Sequence, residues 1–305
     1  MEIRYLQHQE IDKMKWDKCI AKAFNGLVYA YSWYLDIVSE NWDALIEGDY
    51  KAVFPLTQKK KYHVNYLYPP FFTQQLGVFS VDKLAEEKVE KFIKAIPAKF
   101  RFVEINLNKY NNLKSTKYIL LPNKTHEIDL INSYQNLYEN FSTNTKRNIK
   151  KALNHKLTIE KNTSPNDIIK LFRNNRGKDI NTLSEGDYKR LKHLINILIQ
   201  KKKAEIWSAY NNRNELCAGV FFVISNNKTI FLFSGRNAEA KENGAVSYLI
   251  NQYIFENSQK NIILDFAGSN DLNLARFYKS FGSKECIYFQ LKINNLPWLY
   301  RLVKK

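Results

Sequence analysis

Cysteine, histidine, glycine and proline are scarce in this chain of 305 residues, and each scarcity excludes something. Cys19, Cys217 and Cys286 are scattered with no CxxC pair, so neither a disulfide framework nor a zinc site is indicated. The five histidines, His8, His63, His126, His155 and His193, show no HExxH or other ligand spacing, and no metal cofactor is expected. No apolar run approaches the roughly 18 residues that span a bilayer, and the N-terminus MEIRYLQHQEIDKMKWDK is charged throughout. The expectation is a reducing, cytoplasmic setting. No Gly/Ser or low-complexity linker divides the chain.

Acidic residues are also in deficit, 30 against 47 basic, which leaves a net charge of +17. Such a balance fits a polyanionic partner, tRNA or another RNA, or an anionic lipid at the inner face of a membrane. Only 10 of the basic residues are arginine, the type favoured for phosphate and base readout. A functional polyanion surface and a plain solvated basic surface therefore both stay open. What is abundant is apolar material: 45% hydrophobic residues supply core enough for one large or two ordinary domains.

The most organised stretch runs from Lys228 to Gly282 and reads as strand, polar loop, amphipathic helix, buried strand and second helix. Val246, Leu249, Ile250, Tyr253 and Ile254 recur at spacings of three and four, which predicts one apolar helix face. Ile262-Ile263-Leu264 is a short continuous apolar run, the pattern of a strand covered on both faces. Gly235 and Gly244 bracket the loop before the helix, where backbone N–H groups at a helix N-terminus can face an anionic ligand.

The same order occurs earlier. Alternating runs flank Glu47-Gly48-Asp49 as a hairpin, His63 to Tyr68 is a strand ended by Pro69-Pro70, Asp82 to Ala95 a helix, and Phe100 to Leu107 a strand. In the second half a hairpin turns at Asn211-Asn212, and Thr229 to Phe233, the helix from Gly244 and the strand at Ile262 follow. Two copies of one hairpin-strand-helix-strand unit are predicted, without residue identity between them. The first is placed at residues 1–140 and the second at 141–295.

Between the copies, Ser142, Thr143 or Asn144 caps a helix beginning near Thr145, with Lys146, Arg147, Lys150 and Lys151 close behind. Cations there oppose the helix dipole, so Lys146 and Arg147 are either polyanion-binding residues or part of a solvated basic face. Further helices are predicted at Pro165–Asn175 and Glu185–Lys202, joined by Asp179–Ser184. Gln74 and Gln75 sit among large apolar residues and are either cleft-lining substrate contacts or satisfied loop amides. In LDFAGSN, Asp265 ends an apolar strand, and Gly268 lets the chain turn away. An acid there is either a proton acceptor or orienter, or the cap of the following turn.

The run LARFYKSFG resembles the FYxxxG segment of the GNAT superfamily of N-acetyltransferases, with Tyr278 four residues before Gly282. The duplicated order, the TNTKRNIKKA helix between the halves and DFAGSN…RFYKSFG together resemble the Fem-type transferases, which carry two GNAT-like folds in tandem. The resemblance implies a mixed α/β fold of two tandem GNAT-like domains, each a mixed, mostly antiparallel sheet flanked by helices. It implies an acyltransferase or aminoacyltransferase acting on an amine, such as one carried by a cell-envelope precursor, with acyl-CoA or aminoacyl-tRNA as donor. It places Asp265 at the amine and Tyr278 or Lys279 at the leaving group. The donor falls at Phe233, Gly235, Arg236 and Gly244, and the C-terminal segment 296–305 on the N-terminal domain. The donor loop SGRNAEAKENGA carries Glu239 and Glu242, which repel a pyrophosphate. The rival class is a non-catalytic protein that keeps this fold and offers its basic surface to RNA or anionic lipid.

Overall fold

The first strand, β1 (Ile3–Leu6), leads through α1 (Lys13–Lys22) and α2 (Ser32–Val38) to the hairpin expected around Gly48. Asp12 accepts the Met14 and Lys15 N–H groups, which starts α1 at that residue. The hairpin consists of β2 (Asp43–Glu47) and β3 (Ala52–Leu56), and its turn uses left-handed backbone at Gly48 (φ +55°) and Tyr50 (φ +57°). A second hairpin, β4 (Gln58–Lys61) and β5 (Val64–Leu67), turns at Tyr62 and His63, both also with positive φ. The short strand β6 (Phe79–Ser80), the helix α3 (Glu86–Lys94) and the strand β7 (Phe100–Asn106) follow. β1, β2, β3 and β6 form one antiparallel sheet, whereas β5 runs parallel to β7.

β8 (Ile119–Asp129) is followed by α4 (Tyr134–Glu139), α5 (Thr143–Asn154), β9 (Thr158–Lys161), α6 (Pro165–Asn174) and α7 (Glu185–Gln200). Ser142 caps α5 by accepting the Thr145 N–H, one of the three caps expected. The hairpin of β10 (Ala204–Tyr210) and β11 (Leu216–Ser225) comes next, then β12 (Lys228–Arg236), α8 (Glu239–Asn243), α9 (Ala245–Asn257), β13 (Ile263–Asp265), α10 (Leu272–Lys279) and β14 (Lys284–Asn294). β9, β10, β11 and β12 pair antiparallel in that order, and β12 runs parallel to β13.

The computed structural model describes residues 2–114, 117–161, 163–175, 177 and 183–296. Of these, residues up to Lys124 and from Ile287 onward form unit 1, and Thr125–Cys286 form unit 2. Both crossings fall inside strands, β8 and β14, whereas the sequence pattern divides the chain at residue 140. Residues 297–305, and with them the expected packing of the C-terminal segment, lie outside the described residues, as does most of the loop expected at Asp179–Ser184.

The core of unit 2 gathers Trp207, Phe222, Phe231, Leu249, Ile250, Tyr253, Leu264, Phe266 and Tyr278 between the sheet and the helices α9 and α10. The sequence pattern predicts a single apolar face on α9, yet Ala245, Ser247 and Asn251 are buried along with Leu249, Ile250, Tyr253 and Ile254. The reason is packing on two sides, since α9 contacts both α5 and the strands β10 and β11.

Candidate active site

Nine-residue β12 and three-residue β13 cannot pair along their whole length, and the mismatch opens a fork in unit 2. On one side β12 pairs with β11 from Lys228 to Arg236. On the other, only Lys228, Thr229 and Ile230 pair with Ile263, Leu264 and Asp265. Beyond that point β12 runs on, while the chain after Asp265 turns off through left-handed backbone at Ala267 (φ +43°) and Gly268 (φ +62°). The β12 edge from Phe231 to Arg236 thus has no strand partner on that side among the described residues. A register shift leaves Leu232 as a bulge, since Phe222 pairs with Phe231 and Phe221 with Phe233. Unpaired main-chain donors and acceptors require partners, and a bulge re-aims them. An open strand edge of this kind can bind an extended ligand and present N–H groups to a carbonyl oxygen.

Three aromatic rings mark the point where the strands part. Phe231 and Phe266 are the first residues beyond the paired stretch, with ring centroids 6.0 Å apart. Tyr278, on α10, stacks on Phe266 at 4.7 Å and meets Phe231 at 5.9 Å. Burial to 5% exposure makes its ring part of the core as well as a neighbour of the fork. Lys279, one helical position on, is exposed and lies in the last turn of α10.

Asp265 belongs to the opposite face of the sheet, because consecutive strand residues alternate and Phe266 takes the α10 side. At 2% exposure its carboxylate is fully engaged. Oδ1 accepts the Thr125 hydroxyl at 2.5 Å and the Ala267 N–H at 3.0 Å, and Oδ2 accepts from Lys228 Nζ at 3.0 Å. Lys228 also donates to Glu127 Oε1 at 2.7 Å. Burial alone would lower the Lys228 pKa, but the charges of Asp265 and Glu127 outweigh it and hold that pKa above the ordinary lysine value. The structure therefore separates Asp265 from Tyr278 instead of converging them on one atom. Lys228, Glu127 and Thr125 were not legible as its partners, since 37, 101 and 140 residues separate the hydrogen-bonded pairs Lys228–Asp265, Glu127–Lys228 and Thr125–Asp265. No periodic pattern marks them either, since β12 and β13 carry charge only at their ends and Thr125 is uncharged.

The glycines of the expected donor loop serve packing. Gly235 pairs with Gly219 across β12 and β11, and a Cβ on Gly235 would come within 2.5 Å of the Phe172 backbone nitrogen on α6. Phe233 sits beneath the same helix, its ring 5.1 Å from that of Phe172. Gly244 (φ +75°) joins α8 to α9, and a Cβ there would lie 2.2 Å from the Asn148 carbonyl oxygen of α5. The Ala245 N–H at the start of α9 is already bonded to Asn243 Oδ1 at 3.1 Å. The first N–H group of this helix start is thereby occupied. Arg236, half-buried at the far end of the free β12 edge, has no ion pair among the described residues.

On α5, Lys146 Nζ donates to the Glu139 carbonyl at 3.1 Å, and exposed Arg147 donates to Asn144 Oδ1 at 2.7 Å. The end of α10 docks beside them, Ser280 Oγ lying 2.7 Å from Thr145 Oγ1. Gln74 and Gln75 belong to unit 1. There β5 and β7 also part, but Leu76 fills the gap: its N–H bonds Asn106 O at 2.7 Å, and its carbonyl accepts from Asn108 N at 2.8 Å. Gln75 Oε1 fixes this closure by accepting the Lys109 N–H at 3.0 Å. Gln74 Nε2 and Thr73 Oγ1 remain buried without hydrogen-bond partners, beside a narrow recess walled by Tyr68, Pro69 and Pro70. Among the described residues no cluster of His, Cys, Asp and Glu could hold a metal.

No protein-family model and no curated protein matches the sequence. Solved structures do. FemX is 14% identical over 100% of both chains, with a TM-score of 0.68. L-PGS from Bacillus licheniformis is 10% identical over 96% of this chain and 94% of its own, with a TM-score of 0.56. A tandem GNAT protein from the clavulanic acid biosynthesis pathway is 10% identical, covers 97% and 99%, and has a TM-score of 0.52. At such identities the likeness concerns the fold, which is the expected one: two GNAT-like domains in tandem, each a mixed sheet flanked by helices.

Proposed function

We propose that the chain is an N-acyltransferase whose transfer site is the fork of unit 2. The observation that carries this reading is the unpaired, bulged edge of β12 beside Tyr278. A neutral amine would attack the donor carbonyl carbon. The C–N bond forms, the electron pair moves onto oxygen, and main-chain N–H groups of the β12 edge stabilise that oxyanion. Collapse breaks the bond to the leaving oxygen or sulfur, which takes up a proton as the amine loses one. Tyr278 stands next to this position as proton donor. The Asp265 carboxylate acts through position, holding the end of β13 where the fork begins.

Between the two donor classes, the closed start of α9 favours an aminoacyl-RNA. Acyl-CoA bound by its pyrophosphate would meet the Asn148 carbonyl and find the first N–H of the helix occupied. The similarity to FemX and L-PGS points the same way. The acceptor is an amine. A cytoplasmic location follows from this choice of donor.

The test is transfer from each donor, an acyl-CoA and an aminoacylated RNA, to a panel of amines. The Tyr278→Phe variant should lose about 100-fold in kcat while melting within a few degrees of the wild type. A second reading, a non-catalytic protein binding RNA or anionic lipid, draws on the close packing of Tyr278 among Phe231, Phe266 and Phe281. Failure of the wild-type chain to bind or use either donor would select it.

A further inference from the structure

We propose that in unit 1 the outer face of α1 and the adjoining Phe24–Tyr110 pair form a docking surface for an anionic lipid bilayer. The inference is independent of the transfer reaction. Helix α1 turns Trp16, Cys19 and Ile20 inward. Its outward face presents Lys13, Met14, Lys15, Lys18, Ala21 and Lys22, and Met14 is 84% exposed. Lys13 and Lys15 are paired with Asp36 and Asp49, at 2.8 and 2.7 Å. Lys18 and Lys22 have no carboxylate partner among the described residues.

Just past the helix stands Phe24, 46% exposed, whose ring meets that of Tyr110, 42% exposed, edge to face at 5.5 Å. The Phe24 N–H donates to the Ser80 carbonyl at 3.2 Å, which brings exposed Val81 alongside. Lys109 Nζ lies 5.2 Å from the centre of the Tyr110 ring.

These apolar tips are held outward by a buried amide cluster. Asn25 donates to the Val78 carbonyl at 2.9 Å and accepts from Ser80 N at 3.2 Å. Asn108 Oδ1 accepts the Tyr110 N–H at 3.1 Å, and Asn111 donates to both Val78 O and Asn108 Oδ1. An aromatic pair fixed in this way loses little freedom when it is covered. Aromatic and aliphatic tips ringed by lysine match the boundary between headgroups and acyl chains, where rings bury and ammonium groups meet anionic phosphate. An RNA surface fits less well, since Met14 and Val81 offer it neither a π face nor a donor. Few apolar groups are involved, so the lysines must contribute, and binding should weaken with salt.

The experiment is co-sedimentation of the full chain with vesicles of phosphatidylcholine alone or mixed with phosphatidylglycerol. Binding should require the anionic lipid and fall as salt rises. Phe24→Ser with Tyr110→Ser, and separately Lys18→Glu with Lys22→Glu, should each reduce partitioning about tenfold, with circular dichroism and melting temperature unchanged. Should the aromatic pair of substitutions lower the melting temperature, the lysine pair alone decides. The proposal is overturned if the wild type ignores anionic vesicles or if the lysine variant binds them as well as the wild type. It is equally overturned if a folded Phe24→Ser/Tyr110→Ser chain keeps vesicle binding but loses affinity for single-stranded RNA.

Discussion

At the scale of single residues, the buried group Lys228, Glu127 and Asp265 decides most. One cation neutralises two carboxylates that water scarcely reaches, so removing it takes the counter-charge from both. Lys228→Met should cost about 3–5 kcal/mol of unfolding free energy, read from urea midpoints. The pH dependence has a definite sign. A lysine whose folded pKa is raised contributes stability that is fully present below the unfolded value of 10.5 and is lost as pH climbs through the higher folded value. The wild type should therefore lose its margin over Lys228→Met only in strong alkali. Asp265 itself was legible, because an acid closing an apolar run is conspicuous. Its work was not, because Thr125 and Lys228 reach it only once strands far apart in sequence have paired. Of the two readings open for it, the capping contact is visible in the Ala267 N–H bond.

At the scale of elements, local signals are legible: the Gly48 and Asn211 turns, the Ser142 cap and the Pro69-Pro70 stop all fall where the sequence puts them. Glycine was harder to interpret. A glycine states only that a side chain is unwelcome, and a phosphate cradle and a tightly seated helix demand it equally. Here the demand comes from helices, α6 at Gly219 and Gly235, and α5 at Gly244. Gly235→Ala should destabilise by about 1–3 kcal/mol, because the atoms in the way are the backbone of Leu171 and Phe172 and cannot rotate aside. Gly244→Ala combines a clash with the Asn148 carbonyl and a left-handed φ, and should cost at least as much. Thermal melts of the two variants check this. If either residue contacted a donor phosphate without a packing role, donor affinity would fall and the melting temperature would not.

At the scale of the whole molecule, the duplication was legible from element order although the two copies share no evident residue pattern. What the order could not convey is that the copies differ at the place where chemistry would occur. In unit 2 the strands part and stay apart beyond Ile230 and Asp265. In unit 1 they part beyond Leu67 and are rejoined by Leu76, whose two main-chain bonds to Asn106 and Asn108 occupy the groups that a ligand would need. That difference depends on the register of a single bridge, Leu76 opposite Leu107, which no periodicity encodes. It has a measurable consequence. A donor bound where two strands part and stay apart has one such fork among the described residues, so calorimetric titration with the productive donor should give a stoichiometry of one. Gln75→Ala removes the side chain that bonds Lys109 N and should loosen unit 1 without changing that number. A stoichiometry of two in the wild type would mean that the unit 1 bridge opens for ligand, and the transfer site could then no longer be assigned to unit 2 alone.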